Sequence, residues 1–167
     1  MFHAKAIINQ KNLIHNINYI RKYVGPNVSI MPVVKANAYG HGVVQICQIL
    51  SKHNVQGFCV ALLNEVIQIR DNEIDSMILH LGSIKHEFNP ILLDKNLILT
   101  INNKEDILFL NKIGKANNHK LKTHIKVDTG MTRLGILKQD INIIRDTLLK
   151  SDFVNVEGIY TQLSSAD

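Results

Sequence analysis

Short apolar runs alternate along this chain with stretches in which apolar residues recur every third or fourth position. The runs at residues 28–34, 57–61, 77–81, 97–101, 123–127 and 154–160 are bounded by Gly, Asn, Asp or Ser, and they predict six strands. Between them, Leu13, Ile17, Ile20 and Val24 fall at helical spacing, as do Ile141, Ile144 and Leu148, so each segment offers one apolar stripe to a sheet. Shorter helices are expected at residues 43–53, 64–71 and 104–112. Residues 83–94, interrupted by Pro90, read as a loop with at most a short helix. Strands alternating with helices imply an α/β fold built of βα units around a parallel sheet. No linker, repeat or low-complexity block divides the chain, so a single domain is expected.

Composition narrows the class without changing that picture. The 167 residues are 46% hydrophobic and 20% charged, as in ordinary soluble globular proteins, and a chain of this size hides about two-thirds of its unfolded surface. The net charge of +5 comes from lysines scattered along the chain, with no basic tract, so no nucleic-acid partner is expected. Two cysteines, Cys47 and Cys59, sit among apolar residues at no disulfide or metal-ligand spacing, which suits a reducing compartment. The start MFHAKAIINQ lacks the layout of a secretion signal, and no apolar run approaches about 18 residues, so a cytoplasmic protein that does not enter a membrane is expected.

Two strings could carry chemistry. PVVKANAYGHG, residues 32–42, puts Lys35 at the C-terminal end of a buried strand, followed by a glycine-punctuated turn. A lysine amine must lose its proton before it can form a Schiff base, and desolvation at the mouth of an apolar barrel favours that loss. The plain alternative is a lysine that snorkels at a strand end beside glycines that only turn the chain. KVDTGMTRLG, residues 126–135, again begins at a strand end, and its plain reading is a strand-end lysine with an ordinary surface arginine. Asp128-Thr129-Gly130 also satisfies the short aspartic-protease pattern, but such proteases need an almost all-β fold, whereas several amphipathic helices are evident here. The eight histidines include no pair at metal-binding spacing on an evident helix face; no metal is expected, and His41 reads as a turn residue.

VVKANAYGHG resembles the cofactor-lysine motif of alanine racemases, a long and rarely imitated string. KVDTGMTRLG resembles the family string KVDTGMGRLG with Thr132 in place of glycine, and VEGIYTQLSSAD, residues 156–167, resembles a third family segment in which Gln162 replaces a histidine. Weaker agreement runs through residues 57–70 and 78–82, where Val60, Ala61, Glu65 and Gly82 take structural roles at βα junctions. The resemblance covers essentially the whole chain, as the first part of the domain. It implies a partial (β/α)8 TIM-type barrel of about six units, where a closed barrel has eight units and typically about 250 residues.

The implied function is pyridoxal 5'-phosphate-dependent interconversion of L- and D-alanine, the supply of D-alanine for peptidoglycan, with a noncatalytic fragment or an inactive remnant as the alternatives. Lys35 would hold the cofactor and serve as one of two proton-transfer bases, and Tyr39 would hydrogen-bond the phosphate. Arg133 would contact the cofactor's phenolic oxygen. Lys126 would be the position that is often carbamylated, and Gln162 would stand at the ring-stacking position without an aromatic face. The remaining family parts are two barrel units, a serine for the phosphate, an arginine facing the pyridine nitrogen, a C-terminal β domain and a tyrosine base reaching into the partner subunit. They find no match in this sequence. Self-association, or a separate chain that supplies them, is therefore expected.

Overall fold

Helix α1 (Gln10–Val24) begins where the Asn9 side chain accepts the Asn12 amide at 3.2 Å, and it ends where Gly25 takes a φ of 86°. Its buried residue is Ile17, one of the stripe read from spacing. The computed structural model describes residues 7–166. After α1 come α2 (Lys35–Tyr39), α3 (Val43–Leu50), β1 (Gly57–Val60), α4 (Leu63–Arg70) and β2 (Met77–His80). They are followed by β3 (Leu97–Ile101), α5 (Lys104–Ala116), β4 (Leu121–Val127), α6 (Ile141–Leu148) and β5 (Val154–Thr161). The alternation is that of an α/β fold. The chain divides into two compact units, Met1–Ile78 and Leu79–Asp167, with the division inside β2 and no linker there.

In the first unit the core is made by Val34, Val43, Ile46, Cys47, Leu50, Phe58, Val60, Val66 and Ile69. Each such side chain contributes roughly 1.5–3 kcal/mol when fully buried. Burial also pushes the thiols of Cys47 and Cys59 up, to about 12 and about 11, so both behave as small apolar groups.

The strand expected at residues 28–34 is reduced to one rung. Val33 bridges Cys59 in parallel: the Cys59 amide donates to the Pro32 carbonyl at 2.9 Å, and the Val34 amide donates to the Cys59 carbonyl at 2.8 Å. The next rung would need an N–H at Pro32, which proline lacks.

In the second unit β3, β4 and β5 pair in parallel in chain order, with Leu99 opposite Thr123 and Leu121 opposite Val154. β3 is buried along its whole length, as parallel strands covered on both faces are. Between β4 and β5 the register slips, so that Thr123 faces Val156 but His124 faces Gly158. A Cβ at Gly158 would lie 2.7 Å from the His124 ring, which is why glycine occupies the bulge. The segment read as a loop, residues 83–94, contains only a short 3-10 turn at Pro90–Leu93, and His86 ties it to α5 through a 2.8 Å contact with the buried Asp106 carboxylate.

Candidate active site

In the first unit the backbone after Lys35 takes a conformation that periodicity did not reveal. Ala36, Asn37, Ala38 and Tyr39 all have φ between 51° and 54°, so α2 is one left-handed turn. Left-handed geometry costs L-residues about 1–2 kcal/mol each, so neighbouring contacts must hold it in place. The Ala38 amide donates to the Val34 carbonyl at 2.9 Å, and the Gly40 amide reaches the Ala36 and Asn37 carbonyls at 3.1 Å. Asn37 Oδ1 accepts the Val43 amide at 2.9 Å, and His41 Nδ1 lies 2.8 Å from the Ala38 carbonyl, so His41 is the turn residue the sequence suggested. From α4, Glu65 Oε1 accepts the Ala36 amide at 2.6 Å while Oε2 accepts those of Ala61 and Leu62 at 2.8 and 3.0 Å. Lys35 is half-buried, with Nζ 5.9 Å from the ring centroid of Tyr39, which is 59% exposed.

The second unit repeats the theme of a strand-end lysine followed by a shaped loop. Lys126 is 7% exposed, with Nζ 5.8 Å from the ring centroid of Tyr160. The loop leaves β4 and returns to it: the Ile136 amide donates to the Lys126 carbonyl at 2.8 Å, and the Asp128 amide donates to the Ile136 carbonyl at 3.1 Å. Asp128 Oδ1 accepts the amides of Gly130 and Thr132 at 2.9 and 3.1 Å, and these bonds hold its carboxyl below the usual carboxylate range. The loop presents Arg133 to solvent. Thr161, at the end of β5, donates to the Val127 carbonyl at 2.7 Å and meets the Thr129 hydroxyl at 2.7 Å, which brings the second and third strings together.

Inside this unit a polar row crosses the strands, of which the strings contain only Tyr160. Thr100 donates to the His80 carbonyl at 2.6 Å, so the 2.8 Å contact between Tyr160 and Thr100 is the phenol donating to the threonine oxygen. His124 lies beside Tyr160 at 6.4 Å between ring centroids; burial lowers its pKa, and the opposing charge of Glu157 offsets part of that. Alternation along β4 and β5 would have placed His124 and Tyr160 on one face with Lys126, and that is the signal from which the two could have been found.

Residues 8–167 match the family described as "Alanine racemase, N-terminal domain". The chain belongs to the alanine racemase family. The alanine racemase of Limosilactobacillus fermentum is 34% identical over 163 residues, which is 96% of this chain and 44% of that protein. The solved alanine racemase of Clostridium difficile 630 superposes with a TM-score of 0.87 at 32% identity, covering 94% of this chain and 44% of that one. A histidine racemase from Leuconostoc mesenteroides subsp. sake superposes with a TM-score of 0.86 at 25% identity, covering 94% of this chain and 42% of that one. The chain thus spans less than half the length of these relatives, and its fold is that of the front of the racemase N-terminal barrel domain.

Set against the racemase strings, the two departures differ in kind. Thr132, standing where the family string has glycine, carries a φ of 55°, a left-handed conformation that a β-branched residue rarely adopts. Gln162 is exposed, and its amide donates to the Leu163 carbonyl at 3.4 Å, a weak local contact. Among the described residues no helix is long and apolar enough to cross a membrane.

Proposed function

We propose that this chain is the cofactor-holding front of a racemase barrel domain, working on alanine with pyridoxal 5'-phosphate held at Lys35. The observation that carries the reading is the lysine at the strand end followed by the left-handed turn, in a chain of this family. The donor set suits the group. A primary amine can take its aldehyde carbon and the Tyr39 phenol can donate to its phosphate, while Arg133 is proposed for its phenolic oxygen on the family string alone.

When bound, the cofactor supplies an electron sink for the charge left on Cα after its proton is removed. Lys35 Nζ would hold the cofactor, and as a base it would take or return the Cα proton on its own face. Arg133 would fix the ring's orientation through its guanidinium. Lys126, buried beside Tyr160, is the candidate for carbamylation, which would turn a cation into an anion able to orient Arg133. Inversion needs a second base on the opposite face, which we assign to a further polypeptide, whether another copy or a separate chain.

β5 is the last strand in the order of the sheet among the described residues. Beside it lies an open groove of about 540 Å³ lined by Ile125, Ile144, Leu148, Val156 and Ile159. The test is borohydride reduction of the chain with excess cofactor followed by peptide mapping, which is expected to find a pyridoxyl group on Lys35; none there would overturn the cofactor reading. Light scattering and a D-alanine assay complete it. A monomer that racemises alanine by itself would overturn the assignment of the second base.

A further inference from the structure

The left-handed turn after Lys35 is held mostly from within. The carbonyls of Val34, Ala36 and Asn37, the Asn37 side chain and the His41 ring all belong to the same short segment. Contacts of that kind move with the segment and do not fix it against the rest of the unit. Asn37 Oδ1 ties the turn to the first residue of α3, six positions on, and the side-chain bond that reaches far along the chain is the one from Glu65, which stands 29 residues away in the first turn of α4.

The Glu65 carboxylate divides its two oxygens between two junctions. Oε1 takes the Ala36 amide, the first N–H after Lys35, at 2.6 Å; Oε2 takes the Ala61 and Leu62 amides, the chain leaving β1, at 2.8 and 3.0 Å. Because β1 also carries the Val33 bridge, the peptide flanking Lys35 is pinned on both sides: through Val34 to Cys59 before it and through Ala36 to Glu65 after it. All three donors are backbone N–H groups, and only a carboxylate accepts with both of its oxygens. An amide in its place would turn one N–H donor toward another. We propose that Glu65 is a positioning residue: its carboxylate selects the left-handed turn and thereby fixes the direction in which Lys35 presents its amine, a role that rests on the reading of Lys35 as the cofactor lysine.

The test compares the full chain with two variants and uses two readouts. Glu65→Gln is nearly isosteric but loses one acceptor. Glu65→Asp keeps the charge and can still cap α4, yet it draws the carboxylate back by about 1.5 Å, one bond length, away from Ala36. Amide hydrogen exchange, measured without cofactor, is expected to accelerate about tenfold over residues 36–43 in both variants, the change set by losing one charge-assisted hydrogen bond. In Glu65→Asp, exchange across α4 should stay at the parent rate. With cofactor and borohydride, the pyridoxyl yield at Lys35 should fall severalfold while labelling of exposed lysines does not change. Should Glu65→Gln fail to fold, Glu65→Asp decides alone. Parent-like exchange over residues 36–43 in a folded Glu65→Asp protein overturns the proposal, and so does faster exchange with an unchanged Lys35 yield. A parent chain that takes no pyridoxyl group at Lys35 overturns the cofactor reading instead, and the exchange measurement then still decides whether Glu65 holds the turn.

Discussion

The two strand-end lysines are followed by loops that solve the same problem differently. After Lys35, four consecutive residues lie in left-handed space, framed by Gly40 and Gly42 and tied by Asn37, His41 and Glu65. After Lys126, one residue that is not glycine, Thr132, lies there, within a loop tied by Asp128. In the first loop only Asn37 is of a type that tolerates the geometry, and hydrogen bonds brace it and its neighbours. In the second, a branched side chain sits where glycine would be strain-free. Strain that is braced belongs to the architecture; strain on one exposed residue can be relieved by a single substitution.

The most disruptive way to break that contrast is Gly135→Ala. Gly135 has a φ of 122°, and a Cβ there would lie 2.7 Å from the Asp128 nitrogen, against backbone that cannot move aside. We expect a loss of about 3 kcal/mol in denaturant unfolding, from steric and conformational strain together. Asn37→Ala should cost about 2 kcal/mol, because it removes the cap on the Val43 amide and puts a less tolerant residue at φ 54°. Thr132→Gly has the opposite sign, with an expected gain of about 1 kcal/mol, or a rise in Tm of roughly 2–4 °C. A Thr132→Gly protein no more stable than the parent would show that the second loop, too, is braced.

The smallest effect tests the row beneath the second loop. His124 has its pKa lowered on folding, so below the ordinary histidine range the unfolded chain binds the extra proton more readily. Its contribution is therefore complete above a pH of about 6.5 and declines as the pH falls below that toward the folded-state value. Thermal melts across this range should show the decline, and His124→Gln should flatten it. Equal slopes for the two proteins would remove His124 as the cause.

Most of the architecture was legible because burial enforces periodicity: the extents of β3 and α6, and the stripe carrying Ile17, follow from apolar spacing alone. Residues 28–34 read as a strand because apolar side chains do not report a missing N–H, and Pro32 removed the rung that would have extended the pairing. The left-handed turn was hidden for a related reason. Ala-Asn-Ala-Tyr carries ordinary right-handed propensity, and the handedness depends on hydrogen bonds within residues 34–43 together with one from a glutamate many residues away. Lys35 and Lys126 could be picked out as strand-end cations. That Lys126 lies over Tyr160, and that Tyr160 reaches Thr100, depends on strand register, which the sequence does not state.

Pro32 also acts as a firebreak. Fraying that starts near residues 28–31 gives up the bond from the Gln56 amide to the Ile30 carbonyl, then meets a position where no bond exists to be lost. The pair of bonds around Val33 does not share a rung with that opening, so the backbone just ahead of Lys35 can stay in register while the chain in front of it breathes.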